Sequence, residues 1–390
     1  MSAGCALFNL GFRPFFLLAC LYGLAAVLAW LGFYTLGWPW PRADISALDW
    51  HAHEMVFGYT LAVIAGFLLT AVRNWTGVQT LRGVPLLLLC LAWLAARCVP
   101  LAGGGLPLHW AMLADVLFDL GLVTAVAWPV FRVRQWRQLG ILSKLLLLAC
   151  ANLLSYAGLL GMYPGATRAG LYSGVYLVMA LIFVMARRVL PFFIERALDR
   201  PVQVSNRRWL DRSSLVLFLV FWLVDVLWPE QPAVAGLAAV LCLLHALRLA
   251  GWYARGLLAR PLLAVLWLGY AWLVIGFALR ALAPLTGIAP TLALHAYTYG
   301  GIGLFTLGMM VRVTLGHTGR SVQRPPALFA PALYILLAGA VLRVLLPLVA
   351  AAHYPWWIGL SQLCWLAAFS LVLACCLPLW LRPRVDGQPG

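Results

Sequence analysis

The chain reads as long apolar runs separated by short polar loops. A membrane-spanning helix needs about 20 mostly apolar residues in a row. Twelve runs meet that need: 14–36, 52–72, 84–102, 108–131, 139–161, 169–193, 212–228, 233–253, 261–283, 291–314, 327–350 and 356–381. The pattern predicts an all-α, polytopic integral membrane protein of about twelve transmembrane helices, forming a single transmembrane domain over residues 1–390. Two runs stand out by the residues at their ends. The second opens on Trp50-His51-Ala52-His53-Glu54-Met55; the tenth opens on His295 and is followed by His317. Ionisable side chains are costly in lipid, so those found there are candidates for function.

Composition agrees with the pattern. The chain is 64% hydrophobic and only 10% charged, where soluble domains are about 45–50% apolar and about 25% charged. The formal charge of +16 sits in short loops, which is how topology determinants are distributed. No nucleic-acid partner is expected; the partner is membrane lipid. All of the 27 basic residues except Arg42, Arg97, Arg168, Arg280 and Arg343 fall on the side of the N-terminus, which places both termini in the cytoplasm. The start of the chain lacks the basic segment and cleavage site of a signal peptide. The tail after Leu381, with Pro383, Gly387 and Pro389, reads as unstructured. The nine cysteines show no disulfide or zinc spacing.

A gapless offset of 242 residues aligns His53 with His295, Gly58 with Gly300, Gly66 with Gly308, Thr76 with Thr318 and Gly77 with Gly319. This suggests a parallel internal repeat that sets His53 and His295 at equivalent depth.

His51, His53, His245, His295 and His317, with Met55, are the candidate metal ligands; His109 and His353 read as interfacial residues beside Trp110 and Tyr354. Residues two apart on a helix point about 200° away from each other, so His51 and His53 do not share a metal if both are helical. His51 shares a face with Glu54 and Met55. Met55 is a soft ligand for copper, and Glu54 could fix an imidazole tautomer. His295 and His317 lie about 33 Å apart along a helix, so they serve separate sites. His295 groups with His51 and His53, and His317 with Asn74, Trp75, Arg13 and Arg320. His245 sits about 18 Å into its run, either as a ligand of a cofactor that reaches the midplane or as a neutral ring bonded to a carbonyl. Asp115 and Asp119 share a helix face and, with Glu54, are the candidate catalytic carboxylates. Arg97, Arg280 and Arg343 are the buried cations. Ion pairing with aspartate is the plainer role; holding haem propionates is the sharper one for Arg280 and Arg343. No Cys-x-x-Cys-His string occurs, so any haem is bound non-covalently.

These residues carry a resemblance. Gly11-Phe12-Arg13-Pro14-Phe15-Phe16, Trp50-His51-Ala52-His53-Glu54-Met55, Asn74-Trp75-Thr76-Gly77, Arg188-Val189-Leu190-Pro191-Phe192-Phe193, His245 with Arg248, and Leu315-Gly316-His317-Thr318-Gly319-Arg320 resemble the NnrS family along most of the chain. Arg73 departs from the family pattern, which carries Pro there. The resemblance implies a multi-pass protein of the bacterial inner (cytoplasmic) membrane that contains haem b and copper and protects against nitric oxide stress during denitrification. A haem-dependent oxidoreductase acting on nitric oxide, served by an electron donor the sequence does not identify, is one activity compatible with it. The resemblance does not assign histidines to metals; by the depth of the residues, His53 and His295 are the leading axial haem pair, with His245 as a deeper cofactor ligand and Arg280 and Arg343 beside the cofactor. The same twelve spans and buried charges also describe a secondary transporter of a small metabolite or a metal–nitrosyl species.

Overall fold

The structure is a computed structural model that describes residues 6–198 and 200–388; Pro389 lies outside them. Twelve long helices follow one another among these residues. They are α1 (Phe12–Thr35), α2 (Ala47–Thr76), α3 (Val84–Leu101), α4 (His109–Arg132), α5 (Trp136–Leu159), α6 (Ala166–Ala197), α7 (Arg208–Leu227), α8 (Pro232–Gly251), α9 (Pro261–Thr286), α10 (Pro290–His317), α11 (Phe329–Val349) and α12 (Ala351–Leu381). Eleven are long and apolar enough to cross a membrane. The other, α7, carries Asp211, Arg212 and Asp225. Two of these charges are buried in pairs: Asp211 with Arg248 at 3.0 Å, and Asp225 with Arg280 at 2.7 Å. The chain is an all-α, multi-pass membrane protein.

Helix α2 begins five residues before the apolar run does. Ser46 caps it, its Oγ accepting from the Asp49 amide at 3.0 Å, and Asp49 lies in the first turn. Both features favour a helix N-terminus. His51 and His53 are therefore both helical and diverge.

The two histidine-led helices share an irregularity. The α-helix from Ala47 ends at His53 and becomes a π-helix over Glu54–Thr60; the one from Pro290 ends at His295 and becomes a π-helix over Ala296–Gly303. A π turn inserts an extra residue and is frequent at functional sites. Glycines in the left-handed conformation follow at the aligned positions Gly77 (φ 69°) and Gly319 (φ 75°). The π segments begin at aligned positions, one residue after each histidine, although the sequence match beyond the glycines is thin.

The chain divides into two compact units. The first holds the residues up to Leu177 with Met310–Ser321 and everything from Phe369; the second holds Val178–Met309 and Val322–Ala368. In the first unit, α5 and α6 come into backbone contact, since a Cβ on Gly170 would collide with Ala151 O and the Ser155 backbone. This crossing fixes the α5 turns that carry Asn152 and Tyr156. The tail is docked rather than loose: Val385 N donates to Thr318 O at 3.3 Å, and Arg384 Nη1 donates to His317 O at 3.3 Å. The last carbonyls of a helix have no partner within it, and here the tail supplies donors to them.

Candidate functional site

In the first unit, five helices contribute to one buried polar cluster. His53 Nδ1 meets Glu54 Oε1 at 3.1 Å and His53 Nε2 meets Asn152 Oδ1 at 2.9 Å. Tyr22 of α1 donates to Glu54 Oε2 at 2.6 Å. Arg97 of α3 pairs with Glu54 Oε2 through Nε at 3.2 Å and with Asp115 of α4 through Nη2. Tyr156 of α5 donates to Asp115 Oδ2 at 2.7 Å, and Asn152 Nδ2 donates to Asp119 Oδ2 at 2.9 Å. Arg97, Glu54, Asp115, Asp119, His53 and Asn152 are all buried, each at most 4% exposed.

Gly58 makes room for this set. A Cβ there would stand 2.7 Å from Glu54 Oε2, 2.8 Å from Tyr22 Cε1 and 3.0 Å from Arg97 Nη1. It lies in the π segment, where the Thr60 hydroxyl donates to Met55 O at 2.7 Å. The extra residue of that turn lets neighbours His53 and Glu54 both reach the cluster.

Asn152 Nδ2 donates to Asp119, so its Oδ1 faces His53. Both ring nitrogens of His53 are thus engaged, Nδ1 by Glu54 and Nε2 by Asn152. His53 and Arg97 face three carboxyl groups, Glu54, Asp115 and Asp119, in a space where uncompensated charge is costly.

Sequence reasoning named His53, Glu54, Asp115 and Asp119, and the structure brings all four together with Arg97. Glu54 orients a histidine, but the ring is His53 and not His51. His51 stacks on Trp30 with centroids 4.3 Å apart and ring planes 9° apart. Tyr22, Asn152 and Tyr156 were missed, because a tyrosine or asparagine in an apolar run carries no sign of which buried charge it meets. His317 stands where expected, with Asn74 Nδ2 3.3 Å from its Nε2.

In the second unit, His245 and His295 occur as two different tautomers. His295 Nδ1 donates to Thr291 O at 2.7 Å, and its Nε2 accepts from Arg343 Nη2 at 3.1 Å. Arg343 also donates to the Tyr354 hydroxyl at 3.2 Å. His245 Nδ1 faces the Tyr270 hydroxyl at 2.6 Å and Arg248 Nη1 at 3.4 Å. Arginine only donates, so Nδ1 of His245 carries the lone pair and Nε2 the proton. Arg280 is held by Asp225 at 2.7 Å and by Pro229 O at 2.7 Å, which is the plainer pairing role.

These forms decide what each ring could offer an iron. A haem ligand needs a nitrogen lone pair, with the other ring nitrogen oriented by an acceptor. His295 has that tautomer: Nδ1–H is fixed by a carbonyl, and the lone pair lies on Nε2, where it accepts from Arg343. One-sided ligation there fits once Arg343 is displaced. At His53 both ring nitrogens are engaged, so ligation would displace the Glu54 or Asn152 contact. Among the described residues, no group of three or more His, Cys, Asp or Glu is placed to hold a metal ion.

A protein-family model described as NnrS protein matches residues 6–384. No protein of curated function matches the chain.

Proposed function

The chain belongs to the NnrS family, membrane proteins of the nitric oxide response, and from that premise we propose that it removes nitric oxide reductively in the bacterial inner membrane, with electrons from a donor outside the chain and with the His53 cluster as a buried store of protons. The observation that carries this reading is the continuous buried chain Tyr22–Glu54–His53–Asn152–Asp119, joined through Arg97 to Asp115 and Tyr156. Reductive removal of nitric oxide consumes a proton with each electron, and a membrane interior holds no bulk water to supply one. Buried carboxyl and imidazole groups meet that need in membrane proteins.

Haem b, when bound, supplies the redox-active iron. His295 would hold it through Nε2, in place of the Arg343 donor now on that lone pair, and the released guanidinium would be available to the carboxylates of the cofactor. Every other role falls to the chain itself. Glu54 orients the His53 ring through Nδ1. Arg97 bridges Glu54 and Asp115. Asn152 connects His53 to Asp119, the one carboxylate of the cluster with an amide rather than a cation against it. The functional fit of copper rests on the family resemblance alone.

Visible spectroscopy of the purified protein, oxidised and then dithionite-reduced, tests the reading. A Soret band with reduced α and β bands, lost in His295→Ala, supports it. Nitric oxide consumption by the reduced protein should fall in His53→Ala while the spectrum persists. A haem-free spectrum from cells supplied with ample haem would overturn the redox reading and leave the carrier reading in its place.

A further inference from the structure

A second polar chain runs through the second unit, and Arg248 donates to both sides of it. Asp211 anchors its start, paired with Arg187 Nε at 2.5 Å and accepting from Arg248 Nη2 at 3.0 Å. Arg187 is half exposed, so the chain begins near the protein surface. Arg248 Nη2 is further fixed by Ser214 Oγ at 2.7 Å and Leu210 O at 3.1 Å. Its Nη1 donates to the Tyr270 hydroxyl at 3.0 Å. Tyr270 passes the polarity on, its hydroxyl donating to His245 Nδ1 at 2.6 Å. The chain ends at His245 Nε2, which is buried and has no hydrogen-bond partner.

The surroundings of that end are aromatic. Phe183 lies 4.1 Å from the imidazole centroid and Phe277 5.5 Å, both nearly parallel to it. Phe218 packs edge-on to Phe183, and Phe221 and Tyr297 pack on Phe277. A buried donor left without an acceptor is costly, and native proteins retain few. Arg248 and Tyr270 both fix the proton on Nε2, so this cost is built in by two neighbours rather than avoided by choosing the other tautomer. A ring in this form offers a proton and no lone pair, which argues against a metal at this nitrogen. Asp211 balances Arg248, and phenyl rings line the rest, so neither a free anion nor a cation suits the position.

We propose that His245 is the recognition point of a binding site for a small uncharged hydrogen-bond acceptor, held by Nε2–H and enclosed by Phe183 and Phe277. Arg248 and Tyr270 are positioning residues that act through the ring. The site is separate from the His53 cluster and does not depend on haem.

Nitrogen NMR of the full-length protein in lipid nanodiscs, with ¹⁵N-labelled histidine, tests the proposal. The His245 resonance is assigned by its loss in His245→Gln. Nitrous oxide serves as the probe, being uncharged, lipid-soluble and an acceptor. The expected result is a protonated Nε2 whose signal shifts saturably with nitrous oxide. Tyr270→Phe keeps the volume but releases Nδ1, so it should give mixed tautomers and weaken probe binding by about two- to tenfold, the range one neutral hydrogen bond spans. An unprotonated Nε2 overturns the proposal. So does a protonated Nε2 that exchanges with water and ignores the probe, which would mark a buried water site. Neither result bears on haem content or nitric oxide consumption.

Discussion

His53 Nε2 donates to Asn152 Oδ1 at 2.9 Å, across 99 residues of sequence. That contact joins the Glu54 side of the cluster to the Asp119 side. Asn152→Leu should strand the His53 donor and leave Asp119 without its amide. Each lost partner costs about 1–3 kcal/mol, so the variant should melt at lower temperature and consume nitric oxide more slowly, with its visible spectrum unchanged. Equal melting temperatures for the Asn152→Leu variant and the wild-type protein would show that the contact carries no weight.

Gly58 tests whether the π turn shapes the cluster. Gly58→Ala places a methyl against Glu54, Tyr22 and Arg97. Overpacking of this kind costs about 1–3 kcal/mol, and here it also displaces charges that compensate one another. Thermal unfolding in detergent should shift downward more than for Gly236→Ala, where a Cβ meets nothing within 4 Å.

Arg97 stands between two carboxylates. Arg97→Leu leaves Glu54 and Asp115 buried without their cation, and removing one member of a buried pair costs about 3–5 kcal/mol. Little folded protein is expected. The double variant Arg97→Leu with Asp115→Asn should recover part of the yield, measured by size-exclusion profile. No recovery would mean that the pair is not the reason for the loss.

The tail gives a pH prediction outside the spans. Arg384 holds the Asp386 carboxyl down to about 2, from an ordinary value of 3.8. A lowered carboxyl contributes fully above the unfolded value and loses that contribution as pH falls toward the folded one. Docking of the tail should therefore be constant at neutral and mildly acid pH and weaken between about 4 and 2. Hydrogen exchange at the Val385 amide, which donates to Thr318 O, measures it. Protection that declines already near neutrality would assign the docking to another group.

Much of the architecture was legible in the residues themselves. A run of about 20 apolar residues has few fates other than a helix in lipid, so the twelve helices and their order followed from the pattern. The start of α2 did not, because Ser46 and Asp49 build a helix end out of polar residues that hydropathy discounts. His53, Glu54, Asp115 and Asp119 were visible because charge in an apolar run is rare and costly. Their partners were not. Tyr22, Asn152 and Tyr156 look ordinary along the chain, and only the packing of α1, α3, α4 and α5 around the π turn brings them within hydrogen-bond reach. The tertiary structure alone decided how each ring is engaged: His53 held at both nitrogens, His295 with its lone pair on Nε2, His245 with its proton there. A sequence specifies a histidine, but the donors and acceptors that folding places beside each nitrogen determine what that histidine can bind.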